Sequence, residues 1–287
     1  MENLSDISTI KEIMRRHNFN FSKSLGQNFL VNPSVCPKIA ALGGACKQNG
    51  IIEIGTGFGV LTVELAKLAK KVVAIEIDSK LMPVLDETLK DYNNINVINE
   101  DVLKVDLKEL IEKEFADMDI CVCANLPYYI TSPIIMSLLE QKLPIKSITV
   151  MVQKEAADRL CASPGTRQCG AVTLAVNYYS KPKLLFNVSR GSFMPSPNVD
   201  SAVIKLDIKD ELPTNVLSEK HLFQLIRAAF SQRRKTLANP VCANMSIPKA
   251  DILNALASLG LSQTARAEEL KLEQFINLSN LLFSSKQ

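Results

Sequence analysis

Glu53-Ile54-Gly55-Thr56-Gly57-Phe58-Gly59 joins a short apolar run to a stretch with helical spacing. Glycines at such a junction let the main chain approach a ligand closely and present amide groups at a helix start. The spacing is G-x-G-x-G behind an acid, not the G-x-G-x-x-G that suits a pyrophosphate. Glu76 stands at the carboxyl end of the next apolar run, where a carboxylate can accept from both hydroxyls of a ribose. Asp101 follows a third run, where it can accept from an adenine amino group. Asn125-Leu126-Pro127-Tyr128 closes a fourth. Were such a corner to meet an exocyclic amine, whose lone pair is delocalised into the ring and is a poor nucleophile, each part would have a use. The Asn125 side-chain carbonyl and the Leu126 main-chain carbonyl can accept the two amine hydrogens and hold the nitrogen pyramidal. Pro127 fixes φ and so stiffens the carbonyl direction, and Tyr128 offers a face for a flipped-out base. With a strong electrophile alongside, positioning carries most of the work.

The elements that must hold these residues alternate in type. Ile51–Ile54 reads as a strand, and Val60–Leu68 as a helix with Leu61, Leu65 and Leu68 on one face. Lys71–Ile77 is the next strand, and Asp78 or Ser79 can cap a helix running to Lys90. Val97–Ile98, Ile120–Ala124 and Ser147–Gln153 read as further strands, with helices at Ser132–Gln141 and Lys154–Cys161. Val172–Tyr179 and Ala202–Ile208 read as later strands. Such alternation predicts an α/β fold with a parallel, doubly wound sheet, whose strand ends put all four stretches on one edge.

After about Asp210 only helical spacing remains, over Leu222–Phe230, Asp251–Leu259 and Leu272–Phe283. The short proline-bearing link at Glu211–Asn215 predicts domains 1–210 and 211–287. Arg233-Arg234-Lys235 follows the first of these helices and can contact phosphates. Charge is uneven: 15 Lys/Arg against 19 Asp/Glu over residues 1–145, then 8 against 3 over residues 146–205. An acidic first half and a basic second half suit a small-ligand site plus a polyanion-facing surface. Seven cysteines form no paired zinc-ligand pattern, so no metal is expected, and Cys121 and Cys123 read as buried thiols on one face of a strand. No apolar run is long enough to span a membrane, so no membrane partner and a cytoplasmic location are expected.

The Gly-rich turn with Glu76 and Asp101 resembles the class I S-adenosylmethionine methyltransferases, a Rossmann-like fold with a seven-stranded, mostly parallel sheet and a final reversed strand. The Asn125–Tyr128 corner resembles the amine-methylating motif in the form shared by ribosomal RNA adenine dimethyltransferases. Lys23–Leu30 resembles the K-x-x-G-Q-N-F-L segment of that family, and Phe193–Val203 its F-x-P-x-P-x-V-x-S-A-V segment. Ala229–Leu237 resembles the F-x-Q-R-R-K-T-L run of the bacterial small-subunit branch, with Ala238 where arginine is common and Thr56 where proline is frequent. The resemblance implies S-adenosyl-L-methionine as methyl donor, with Gln27, Asn28, Leu30, Gly55, Gly57, Glu76, Asp101 and Asn125 holding it. It implies Asn125, Leu126, Pro127, Tyr128 and Phe193 around the target base, and Lys23, Arg233, Arg234 and Lys235 on RNA. The implied partner is 16S rRNA within the assembling 30S subunit, met by a small all-α C-terminal domain of a monomeric enzyme. Rival readings are a large-subunit dimethyltransferase of the macrolide-resistance type, a non-catalytic assembly factor and an NAD-dependent dehydrogenase.

Overall fold

The computed structural model describes residues 4–22 and 26–284. Its strands in chain order are β1 (Phe29–Leu30), β2 (Gly50–Ile54), β3 (Lys71–Glu76), β4 (Ile95–Asn99) and β5 (Ile120–Asn125). They continue as β6 (Ser147–Gln153), β7 (Ser180–Val188), β8 (Phe193–Met194) and β9 (Ser201–Ile208). Seven of them form one sheet in the order β4-β3-β2-β5-β6-β9-β7. The first five in that order are parallel, and β9 runs antiparallel to β6, from Ser147↔Asp207 to Gln153↔Ser201. The reason lies in composition. β2, β5 and β6 are apolar and buried almost throughout, as strands covered by helices on both faces must be. β4, at the sheet edge, is only partly buried. β1 and β8 make a separate antiparallel pair, Phe29↔Met194 and Leu30↔Phe193.

The compact unit built on this sheet runs to Ala157 and resumes over Pro182–Ile208. A second unit comprises Asp158–Lys181 and the chain from Lys209 onward. The last of these boundaries lies two residues from the one expected at 210, whereas Asp158–Lys181 groups with the helices rather than with the sheet. The cause is local. Val172–Tyr179, expected as a strand, is the helix Ala171–Tyr179. Its apolar run is buried on several sides, so no helical period shows in the sequence. The Gly170 amide donates to Thr173 Oγ1 at 2.9 Å and closes the first turn. At the other end, Tyr178 and Tyr179 pack on Phe223 with ring centroids 5.3 and 5.6 Å away, and the Tyr179 hydroxyl donates to Glu219 Oε1 at 2.5 Å. The strand that the sequence reading lacked, β7, follows at once, its Pro182 placed in a strand at the sheet edge.

Smaller differences follow the same logic. Leu61 and Leu65 are buried, but Leu68 is 37% exposed at the end of its helix. Asp78 is the residue that caps, accepting from Lys80 N at 3.1 Å at the start of a short 3-10 turn before the helix Met82–Thr88. Cys121 and Cys123 are both buried, with their sulfurs against the Gly43–Gly44 turn. Among the described residues no helix is long and apolar enough to cross a membrane, and no three His, Cys, Asp or Glu side chains group as metal ligands would.

Candidate active site

Parallel registration brings the carboxyl ends of four strands to one edge: Ile54 pairs with both Ile75 and Ala124, and Glu76 with Asn99. The chain leaves β2 through Gly55 (φ +78), Gly57 (φ +56) and Gly59 (φ +84). A side chain at Gly57 would be strained at that φ, and its Cβ would stand 2.8 Å from the Phe29 ring. Phe29 itself packs on Phe58 with centroids 4.5 Å apart, so the loop has an aromatic floor.

Glu76 organises this loop as well as facing the pocket. Its Oε2 accepts from Thr56 Oγ1 at 3.0 Å and from Gly57 N at 3.1 Å, and its Oε1 accepts from Asp78 N at 2.9 Å. Burial pushes its carboxyl above the usual range, against the lowering effect of these donors. Thr56, the departure from proline in the family pattern, thus supplies a donor that proline could not. Asp101 also lines the pocket and accepts from Leu103 N at 3.0 Å. The same pocket is lined by two apolar side chains that the sequence pattern does not single out. Ile77 lines the pocket at 53% exposure, and Val102 lines it too, offering apolar contact to a flat ring. The signal for Ile77 was available: an isoleucine directly after a strand-end acid, at the start of a loop.

The Asn125–Tyr128 corner closes the opposite side of the same pocket. Asn125 Nδ2 is turned toward the Asn28 carbonyl at 3.5 Å, which leaves Oδ1 directed away from it. The Pro127 carbonyl accepts from Ile130 N at 3.2 Å and from Thr131 Oγ1 at 3.2 Å. Among the described residues no backbone amide donates to the Leu126 carbonyl. The corner therefore carries two acceptors, one on a side chain and one on the main chain, on consecutive residues that line the pocket. Tyr128 is half-buried, and its hydroxyl pairs with that of Ser201 at 2.8 Å. Ser201, the first residue of β9, thus fixes the ring from across the sheet edge; sequence reasoning gave it no role.

The segment Gly26–Leu30 lines the same pocket. Gln27 lines it, yet both ends of its amide are engaged: Oε1 accepts from Ser22 N and Nε2 donates to Asp78 Oδ2, each at 2.8 Å. Gln27 accordingly ties this segment to the β3 end. Asn28 and Leu30 line the pocket, with Asn28 Nδ2 donating to the Gly26 carbonyl at 3.1 Å. Phe193 lines it from β8, its ring 4% exposed. All the candidate cofactor and target-base residues therefore face one cavity. Lys23 lies outside the described residues.

Glu53, the acid ahead of the glycines, is fully buried, and among the described residues neither of its carboxyl oxygens has a hydrogen-bond partner. Burial raises its pKa from 4.5 to about 8. The fold thus favours the protonated form. Above the unfolded value of 4.5, ionisation of the unfolded chain progressively favours unfolding, and the effect levels off once pH exceeds about 8. A tenfold change in proton affinity corresponds to about 1.4 kcal/mol, so the full effect is of order several kcal/mol. Glu53→Gln is therefore expected to gain stability relative to the parent as pH rises through that window. Urea unfolding at its two ends tests this; a difference between the two proteins that does not change with pH would contradict it.

In the helical unit, Arg233, Arg234 and Lys235 follow the helix Glu219–Phe230. They are not equivalent. Arg233 Nη2 donates to the carbonyls of Arg167 and Cys169 at 2.9 and 3.3 Å and lies 3.7 Å from Glu268. Arg234 and Lys235 are exposed and, among the described residues, form no ion pair.

Known proteins resemble this chain in sequence and fold. The family described as ribosomal RNA adenine dimethylase matches residues 18–283. A "Ribosomal RNA small subunit methyltransferase A" from Geobacillus thermodenitrificans is 49% identical, covering 96% of this chain and 97% of that one. A protein of the same name from Bacillus mycoides is 45% identical over 100% of this chain and 99% of its own. Among solved structures, a dimethyladenosine transferase from Plasmodium falciparum aligns with a TM-score of 0.73 at 31% identity, covering 90% of this chain and 98% of that one. The 23S rRNA methyltransferase ErmE aligns with a TM-score of 0.67 at 25% identity, covering 89% of this chain and all of that one.

Proposed function

The chain belongs to the ribosomal RNA adenine dimethylase family, and on that premise we propose that it methylates N6 of two adjacent adenosines in the 3′-terminal hairpin loop of 16S rRNA. The products are N6,N6-dimethyladenosines and S-adenosylhomocysteine. On this reading the protein works in the cytoplasm, as a monomer, on the assembling 30S subunit. The observation that carries it is that Asn125 and Leu126, which bring one side-chain and one main-chain acceptor, line the same pocket as a glycine cradle and a buried acid.

S-adenosylmethionine, when bound, supplies an electrophilic methyl group. The pocket fits such a donor: Gly55 and Gly57 leave room for its amino-acid end, Glu76 holds the ribose, and Asp101 with Ile77 and Val102 takes the adenine. Gln27 holds the Gly26–Leu30 segment through Asp78. Asn125 and Leu126 accept the N6 hydrogens of the target, two in the first transfer and the one that remains in the second, and keep the nitrogen pyramidal. Its lone pair can then bond the methyl carbon as the carbon–sulfur bond breaks, and the surplus N6 proton leaves to water. Tyr128, braced by Ser201, and Phe193 enclose the flipped base.

Transfer of labelled methyl groups into isolated ribosomal subunits tests the substrate. Label in the small subunit supports the proposal, and label confined to the large subunit would favour the macrolide-resistance type of activity. The small-subunit relatives at 45–49% identity support the first outcome over the likeness to ErmE at 25%.

The cation run is proposed to contact RNA phosphates. Arg233 is left out of the test because it holds the Arg167–Cys169 loop. Neutralising Arg234 and Lys235 together should make the salt dependence of subunit binding shallower by about 1.4–1.8 in log–log slope. Filter binding over a salt series checks it, and a slope equal to the parent's would make them ordinary solvated side chains.

A further inference from the structure

Tyr129 follows the Asn-Leu-Pro-Tyr corner and has no part in the chemistry above. It lines the same pocket, and at 62% exposure it is the most open of the large apolar side chains among the described residues. The ring is nonetheless supported. Gly26 backs it so closely that a Cβ there would stand 3.3 Å from both Cδ1 and Cε1, and 3.6 Å from Pro127 Cβ. A tyrosine held against main chain on one side and left open on the other costs exposed apolar area unless something covers it. Its neighbour Tyr128 is half-buried and anchored to Ser201, inside the pocket that receives the target base. Two consecutive aromatic residues thus stand at two depths, one inside the cavity and one at its mouth.

We propose that Tyr129 is a stacking platform for the nucleobase adjacent to the target adenine. This rests on the function proposed above, in which the substrate is a single-stranded loop. Once a base is drawn into the pocket, the next nucleotide loses its stacking partner and lies at the mouth. A bare aromatic face there replaces the lost partner with little dependence on base identity, since every base presents a π-face. The ring does this, not the hydroxyl. The contact made by the neighbouring base is formed before and during transfer alike, so it strengthens capture of RNA without accelerating the chemical step.

Undermethylated small subunits, S-adenosylmethionine and the parent, Tyr129→Ala and Tyr129→Phe proteins provide the test. Tyr129→Ala is expected to raise KM for the subunit by about five- to a hundredfold, the range of one aromatic–base stack, while the single-turnover constant at saturating subunit is retained. Tyr129→Phe should match the parent. Unchanged KM in Tyr129→Ala overturns the inference, as does a Tyr129→Phe protein that is equally impaired. A proportional loss of S-adenosylmethionine affinity in Tyr129→Ala, read by calorimetry, also overturns it, because Tyr129 is then a wall of the donor pocket. If the parent transfers no methyl groups to the subunit, the proposed function itself fails; if it does and Tyr129→Ala equals it, only the platform fails.

Discussion

Asn125→Ala is expected to lower the single-turnover rate of methyl transfer by roughly a hundred- to a thousandfold, the usual cost of deleting one preorganised hydrogen-bonding partner of a reacting group. N6 of adenine becomes nucleophilic only when its hydrogens are drawn out of the ring plane, and the corner offers two acceptors for two hydrogens. Removing Oδ1 leaves the Leu126 carbonyl alone, and the amine can relax back toward planarity. The fold should survive, since Asn125 ends β5 and its described hydrogen bond, to the Asn28 carbonyl, is 3.5 Å long. RNA binding should change far less than the rate, because the lost interaction matters most in the transition state. Rapid-quench measurement at saturating donor and subunit isolates the step. A rate constant close to the parent's would remove the corner from the chemistry.

Glu76→Ala should weaken S-adenosylmethionine binding by at least roughly tenfold and up to a hundredfold, the worth of one charge-assisted hydrogen bond of about 1.5–3 kcal/mol. Two losses combine. The ribose hydroxyls lose an acceptor, and the Thr56 hydroxyl and the Gly57 and Asp78 amides lose the oxygens that hold the loop and the β3 exit in place. The second loss pushes the expected effect toward the upper end. Calorimetry on folded variant protein reads it, with circular dichroism confirming the fold. Parent-like affinity would take Glu76 out of the donor site.

Much of this site was legible because parallel sheets turn sequence order into spatial order. Gly55, Glu76, Asp101 and Asn125 each stand at or just past a strand end, so the alternation of elements was enough to bring them to one edge. The contacts that brace them were not legible. Ser201 reaches Tyr128 across 73 residues of sequence, and Gln27 reaches Asp78 across 51. No local pattern encodes such pairs. Ala171–Tyr179 was misread for a related reason: a helix packed on several sides carries no amphipathic period, and β-branched and aromatic residues then mimic a strand. The cation run shows the limit of composition. Its three charges read alike in sequence, yet Arg233 is committed to carbonyls within its own unit while Arg234 and Lys235 remain exposed.

The most direct test of the central claim is mass spectrometry of 16S rRNA from cells lacking this gene, and from the same cells carrying either the parent gene or Asn125→Ala. N6,N6-dimethyladenosine is expected to disappear from two adjacent positions in the 3′-terminal hairpin loop, to return with the parent gene and to stay absent with Asn125→Ala. Undiminished dimethyladenosine at those positions in the deletion strain, or a loss confined to 23S rRNA, would contradict it.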